Sequence, residues 1–261
     1  MTGLEYYDRP EIWGPDSTYG DPAERERALV IRGYVPEGTA SLLDVGCGDG
    51  TVTNVLAEKF DVTGADISPR ALEHVTAPTC VAPAHDLPFG EQSFDAVLLA
   101  EVLEHLPDDE FHGACQEVAR VAADTILVTV PNQENLHTNE LRCPRCGARF
   151  SPWRHHRRFA PGDLSGMFPG FREELVEEIG PGLRQLSRLD SVLVRGRIRV
   201  EGKLPFPAVC PECKLEGVKP EPAGGTTGKS PLPMRVLREE LLPRLRPAAR
   251  PRWLIARFAR A

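Results

Sequence analysis

A chain of 261 residues, 41% of them hydrophobic, can bury a core without disulfide staples; that suits one α/β domain plus an insertion and leaves little for a second full domain. A formal net charge of −7 argues against a surface built throughout for nucleic acid, although the arginines are unevenly placed. Residues Met1 to Tyr7 offer neither a basic n-region nor an apolar h-region, and no stretch reaches the length of a membrane span, so a cytoplasmic protein is expected.

Residues 1–20 are rich in Pro and Gly and carry Tyr6, Tyr7, Trp13 and Tyr19. Such an arm can fold over a ligand or pack as plain surface. Asp21-Pro22 supplies a cap and a first turn, and the pattern predicts a helix running to Tyr34. Ser41 to Val45 reads as a buried strand entering Gly46-Cys47-Gly48-Asp49-Gly50, with a helix from Val52 to Lys59 beyond. Glycines on alternate positions permit positive φ and let a ligand lie against bare backbone. The spacing is G-x-G-x-G and not the G-x-G-x-x-G of nicotinamide-binding turns.

A second strand, Asp61 to Asp66, ends on an acid 16 residues past Gly50. A carboxylate there can accept ribose hydroxyls; capping the helix that opens at Ser68-Pro69 is its alternative role. Further strands are expected in Val81 to Ala84, Phe94 to Ala100 and Thr125 to Val130, then a helix near Pro161 to Met167. A final antiparallel pair is expected at Leu175 to Glu178 and Ser191 to Val200. Strands alternating with helices imply a mostly parallel sheet with its ligand at the carboxyl edge.

Of seven cysteines, four stand as Cys143-x-x-Cys146 and Cys210-x-x-Cys213. Without a secretion signal such pairs point to metal, and four thiolates in two tight turns match the tetrahedral demand of structural zinc. Pro144 and Pro211 would stiffen the turns; a redox role is the competing idea. Arg142, Arg145, Arg149, Arg154, Arg157 and Arg158, with Phe150 and Trp153 among them, surround the first pair. They could bind a nucleic acid strand, a single phosphate, a carboxylate or a nucleotide-linked sugar, or offset the charge of a four-cysteine zinc site. Ala223 to Ser230 lacks phosphate-loop spacing and reads as a linker. The tail from Pro231 has eight arginines and an amphipathic pattern at Val236, Leu237, Leu241, Leu242 and Leu245, interrupted by Pro243, Pro247 and Pro251. Its packing surface is its own domain, a second subunit in a homodimer, or an anionic membrane.

From Asp44 through the three glycines, Asp66, the Asp86-Leu87-Pro88-Phe89 segment and Glu104-His105-Leu106, residues 41–135 resemble class I S-adenosylmethionine (SAM)-dependent methyltransferases. The resemblance implies a Rossmann-like, mostly parallel seven-stranded α/β sheet with helices on both faces, here carrying a small zinc-binding insertion. It implies that Asp44, Gly46, Gly48, Gly50, Asp66 and Ile67 hold the cofactor, with Asp86 and the Leu87 backbone on its adenine. The Glu101-x-x-Glu104-His105 pattern also resembles the metal motif of ubiquinone-pathway O-methyltransferases and small-RNA 2′-O-methyltransferases. On one helical face (i, i+3, i+4) these groups could hold magnesium or manganese; otherwise they shape the pocket, or His105 alone serves as general base.

His156, ahead of Phe159, is a second candidate to face the acceptor, but the histidine context of the small-RNA family is absent. The expected activity is methyl transfer to oxygen or nitrogen of a small metabolite, a sugar or natural-product intermediate. The alternatives are a metal-dependent RNA 2′-O-methyltransferase and a non-catalytic SAM- and zinc-binding protein. The expected organisation is an arm and helix over 1–40, a cofactor domain over 41–205 with its insertion at 136–160, a second knuckle and linker over 206–230, and a basic tail over 231–261.

Overall fold

A computed structural model of the chain describes residues 3–9, 12–13, 22–185, 188–206, 208–218 and 248–261. In chain order its first elements are α1 (Gly3–Tyr7), α2 (Pro22–Tyr34), β1 (Ser41–Val45), α3 (Thr51–Leu56), β2 (Asp61–Asp66), α4 (Pro69–Leu72), β3 (Thr79–Val81), β4 (Phe94–Ala100), α5 (Asp108–Val121) and β5 (Ala122–Pro131). Then come α6 (Leu136–Asn139), β6 (Leu141–Arg142), β7 (Arg149–Phe150), β8 (Phe171–Leu183), α7 (Arg188–Glu201), β9 (Leu204–Pro205), β10 (Gly217–Val218) and β11 (Arg250–Arg260). No helix among the described residues is long and apolar enough to cross a membrane.

The chain divides into two compact units. One comprises Met1–Gln133, His156–Gly180 and Pro251–Ala261; the other comprises Glu134–His155 and Pro181–Arg250. The first holds a seven-stranded sheet of order β3-β2-β1-β4-β5-β11-β8. Strands β1 to β5 pair in parallel, and β11 runs antiparallel to β5, with Trp253 opposite Pro131 and Ala259 opposite Thr125.

Alternation along each strand builds two cores. Leu43, Val45, Val97, Leu99, Ile126, Val128, Leu254 and Phe258 face one side, with Cys115 and Val118 of α5. Leu42, Ala96, Leu98, Leu127, Trp253 and Ile255 face the other, with Ala28 and Ile31 of α2 and Val52, Val55 and Leu56 of α3. A strand covered on both faces reads as a continuous apolar run, which is why β1, β4 and β5 were recognisable. Each fully buried side chain of this size stabilises by about 1.5–3 kcal/mol.

Several expectations are corrected. Residues 191–200 are part of helix α7, and the seventh strand is supplied by β11 at the chain's end, inside what the sequence presented as a basic tail. The Val-Arg alternation from Val192 to Val200 looks like a strand, but Val192, Val194 and Val200 are exposed while Asp190, Ser191 and Ile198 are buried. Burial at 191 and 198 keeps one helical face, two turns apart. The run Trp253 to Phe258 is apolar enough to be covered on both faces, so it takes the interior slot beside β5. The unit that holds the seven-stranded sheet comprises residues up to Gln133, His156–Gly180 and Pro251–Ala261, where the sequence suggested one run from 41 to 205. Pro161–Asp163 forms a single 3-10 turn where a longer helix was expected, and β3 lies over Thr79–Val81, two residues ahead of its expected start. The linker at 223–230 and the amphipathic pattern at 236–245 lie outside the described residues.

The second unit is built on short elements. Its core comprises Leu141, Cys143, Ile198, Leu204, Ala208 and Cys210, with Phe150 and Leu215 against it.

One glycine lets β8 pass close to Trp253. Gly180 has φ +85°, and a Cβ there would lie 2.4 Å from the Trp253 ring. Gly180→Ala should therefore destabilise the protein by about 2–4 kcal/mol, from backbone strain and overpacking together. Urea denaturation checks this, and an unchanged midpoint would show that Trp253 is not fixed by that contact.

Candidate functional site

The loop after β1 is positioned by hydrogen bonds from both sides. Gly46 N–H and Cys47 N–H donate to the Ala65 carbonyl at 2.7 and 3.1 Å, and Gly48 N–H donates to Asp66 Oδ2 at 2.9 Å. Gly46, Gly48 and Gly50 all have positive φ, +72°, +55° and +79°, so the requirement for glycine at each is met by the backbone itself. Ser68 N–H donates to the other Asp66 oxygen at 2.8 Å, while the Ser68 hydroxyl caps α4 through Ala71 N–H. Asp66 is thus held by the loop and does not cap α4. Ile67 is half-buried beside it.

Buried charge defines this edge of the sheet. Asp44 is 1% exposed; its Oδ2 accepts from the Thr53 hydroxyl at 2.7 Å, and its Oδ1 has no hydrogen-bond partner. Desolvation pushes the Asp44 carboxyl up to about 7, against the pull of the Thr53 hydrogen bond and the Arg27 charge. Burial likewise raises Asp66, opposed by backbone N–H groups of Ser68, Gly48 and Ile67.

Arg27 is the counterion that sequence reasoning missed. It donates to the Thr129 hydroxyl at 3.2 Å, pairs with Glu24 at 2.6 Å and lies 5.4 Å from the Trp253 ring centroid. Desolvation works against its charge, but Glu101, Glu24 and Glu104 more than compensate and raise it. An arginine next to Ala28 on the inner face of an otherwise ordinary amphipathic helix was the available signal.

The N-terminal arm lies against this loop. The Trp13 ring would sit 3.1 Å from a Cβ on Gly48, Trp13 Nε1 donates to the Tyr7 carbonyl, and Tyr7 meets the His105 ring edge-on at 5.7 Å. Asp8 accepts from the Ser68 hydroxyl at 3.0 Å and from Arg70 N–H at 3.2 Å.

The turn after β4 departs from expectation. Glu101 has φ +59° and Leu103–His105 form a 3-10 turn, so Glu101, Glu104 and His105 do not share the face of an α-helix. Glu101 belongs to no group of three potential metal ligands among the described residues. Instead the turn is clamped from the 156–157 segment. His156 N–H donates to the Glu104 carbonyl at 2.7 Å, and Arg157 reaches the Leu103 carbonyl at 3.1 Å while lying over the Phe111 ring at 3.8 Å. The His156 side chain is exposed.

At the expected adenine segment Asp86 is exposed, but the Leu87 amide is already engaged. Leu87 N–H donates to Glu117 Oε2 at 3.0 Å, and Arg120 holds the Leu87 carbonyl at 3.0 Å. The Glu117–Arg120 pair one turn apart on α5 fixes this loop to the helix.

The second unit carries a separate cluster. The Sγ atoms of Cys143, Cys146, Cys210 and Cys213 all lie within 4.8 Å of one another, with Cys143–Cys213 and Cys146–Cys210 at 3.5 Å. All are free thiols, far beyond bonding distance for a disulfide. Four thiolates around zinc at about 2.3 Å would have tetrahedral edges of about 3.8 Å, so the cluster fits that ion.

The two knuckles are the same structure twice. Gly147 N–H donates to the Cys143 carbonyl and Lys214 N–H to the Cys210 carbonyl; Cys143 N–H donates to Ala148 and Cys210 N–H to Leu215. The residue after each pair, Gly147 at φ +81° and Lys214 at φ +60°, is left-handed. Burial opposes the Cys143 thiolate, but N–H groups of Cys146 and Arg145 bring the thiol down to about 7. In the same unit His155 pairs with the Glu134 carboxylate; burial alone would raise Glu134, yet His155 and Asn139 hold it low.

Residues 43–125 match the family model described as a methyltransferase domain. The chain is 40% identical over 131 residues to 2-methyl-6-phytyl-1,4-hydroquinone methyltransferase of Synechocystis sp., covering 40% of this chain and 39% of that protein. It is 31% identical over 119 residues to a ubiquinone biosynthesis O-methyltransferase of Idiomarina loihiensis, covering 37% and 45%. The chain thus spans less than half the length of these curated relatives. A SAM-dependent methyltransferase from Archaeoglobus fulgidus superposes with a TM-score of 0.53 at 18% identity, covering 91% of this chain and 94% of that one. The fold is the Rossmann-like methyltransferase fold.

Because the folded-state value of Asp44 is raised to about 7 from an unfolded value of about 3.9, its burial costs stability progressively as pH rises between those values. Asp44→Asn removes that cost. Without added ligand the variant should melt close to wild type near pH 4 and increasingly above it as pH rises towards 8, as read by thermal denaturation across that range. A melting difference independent of pH would place the proton elsewhere.

Proposed function

We propose that this chain is a SAM-dependent methyltransferase that transfers a methyl group to oxygen or nitrogen of a small metabolite, a sugar or natural-product intermediate. The observation that carries the reading is the left-handed glycine loop between two buried acids, with Asp44 Oδ1 lacking a hydrogen-bond partner at the carboxyl edge of a parallel sheet. The methyltransferase match over 43–125 supports it.

The residues present suit that cofactor. A desolvated carboxylate with an open oxygen favours a cationic partner, which the ammonium of a methionine moiety would supply. Asp66, oriented through Gly48 and Ser68, has its remaining lone pairs for ribose hydroxyls. Gly46, Gly48 and Gly50 would offer bare backbone, Ile67 an apolar contact, and Asp86 an acceptor for an adenine amino group. Bound SAM supplies a methyl on a sulfonium with its own leaving group, so the protein's task is alignment and at most removal of one proton. His105, steadied by Tyr7, is the group to orient or deprotonate the acceptor. Glu104, buried in the same turn, is the carboxylate proposed to act beside that imidazole. The exposure of His156 makes it the weaker candidate for contact with an acceptor.

In the second unit Cys143, Cys146, Cys210 and Cys213 would hold one structural zinc ion, closing two knuckles 63 residues apart in sequence. Elemental analysis by mass spectrometry should find one zinc per chain, and Cys143→Ser with Cys213→Ser should abolish it and lower the melting temperature. Full retention of zinc by that double variant would sink the assignment.

Asp66→Ala should leave the protein folded but weaken SAM by at least about a hundredfold, since it removes a charge-assisted pair of hydrogen bonds. Calorimetric titration reads this directly. Unchanged affinity would reject the cofactor assignment.

A further inference from the structure

A cleft of about 820 Å³ opens in the second unit, lined by Arg142, Arg149, Arg195 and Arg199 with Glu140 and the floor of the Cys143 knuckle. Its volume lies within the range of small-molecule sites. Four guanidinium groups against one carboxylate exclude an apolar ligand and favour an anion.

The four arginines are not equivalent. Arg149 pairs with Glu140, and Arg142 lies along the knuckle, its Nε 3.4 Å from the Gly147 carbonyl. Offsetting the charge of the thiolates is a sufficient reason for Arg142. It is not a reason for the pair on α7. Arg195 is fixed by one nitrogen, which donates to the His137 carbonyl at 2.6 Å, while its buried Nε has no hydrogen-bond partner. Arg199 stands one turn further along the same face.

Helix α7 is locally unfavourable at this point. Like charges at i and i+4 repel by a few tenths of a kcal/mol, and Gly196 in the helix interior costs about 1 kcal/mol relative to alanine. Nothing packs within 4 Å of where a Gly196 Cβ would be, so the glycine is not there to admit a neighbouring side chain. Its effect is to open the floor of the cleft between two arginines. A helix that breaks two local rules on one face, at the wall of a basic cavity, is shaped for something outside the fold.

We propose that this cleft binds a phosphate-bearing small molecule, with Arg195 and Arg199 as its ligands and Gly196 admitting it to the helix surface. Guanidinium forks match the paired oxygens of a phosphate and stay charged at every physiological pH. The inference does not rest on the methyltransferase reading, because the cleft and its residues belong to the second unit alone.

Calorimetric titration of the full chain with inorganic pyrophosphate and with inorganic phosphate tests it, the two probes separating a diphosphate from a monophosphate ligand. Wild type should bind one of them saturably, and Arg195→Ala and Arg199→Ala should each weaken it at least about tenfold. Gly196→Leu, which fills the floor while improving helix propensity, should also abolish binding. Arg197→Ala, whose target is paired with Glu201 on the same helix and does not line the cleft, should bind as wild type. Circular dichroism and thermal melting establish that each variant is folded. Saturation by neither probe, or wild-type affinity in the Arg195→Ala and Arg199→Ala variants, would overturn the proposal. So would a short single-stranded RNA that binds more tightly than either probe and is weakened by the same variants, since the occupant would then be a nucleic acid strand.

Discussion

Uncompensated negative charge at the carboxyl edge of the sheet is the constraint around which the first unit is arranged. Asp44 and Asp66 are buried there, and Arg27 is the buried cation among the described residues. One guanidinium cannot neutralise several carboxylates, and burial raises Asp44 and Asp66 as a result. Such an edge is unfavourable for the protein alone and favourable for a ligand that brings positive charge. A sulfonium nucleotide with an ammonium group has that character, which is a physical reason for the proposed cofactor independent of the glycine pattern.

The same edge explains why the chain's end returns to the sheet. Asn132, at the end of β5, holds β11 by two bonds: its backbone N–H donates to the Arg252 carbonyl and its side-chain amide to the Pro251 carbonyl, both at 3.0 Å. Arg252 reaches Glu24 at 3.6 Å and Trp253 stacks with Arg27. Strand β11 therefore contributes to the core and also to the electrostatic frame of the loop. The basic residues that made it resemble a tail are the flanks of a strand whose centre, Leu254 to Ala256, is wholly buried.

Two kinds of local repetition carry the second unit. Its knuckles repeat one hydrogen-bonding scheme around C-P-x-C, and a left-handed residue closes each. Lys214 takes that conformation without being glycine, which costs on the order of 1–3 kcal/mol. Coordination of a metal by the neighbouring thiolates is the kind of interaction that would hold it there.

Strands β1, β2 and β4, the glycine loop, the two acids flanking it and the four cysteines were all legible in the sequence. Each is a short-range pattern: a doubly covered strand is apolar throughout, a left-handed turn needs glycine, and a metal knuckle needs two thiolates three residues apart. What the tertiary structure decided is longer in range. Val192 to Val200 and Trp253 to Phe258 competed for one place beside β5, and only the shape of the two cores chose between them. Arg157 and Glu117 act through a backbone carbonyl and a backbone amide that lie far from them in sequence, so no local spacing announces them. Glu101 lost its place beside Glu104 and His105 because the chain leaves β4 through a left-handed residue.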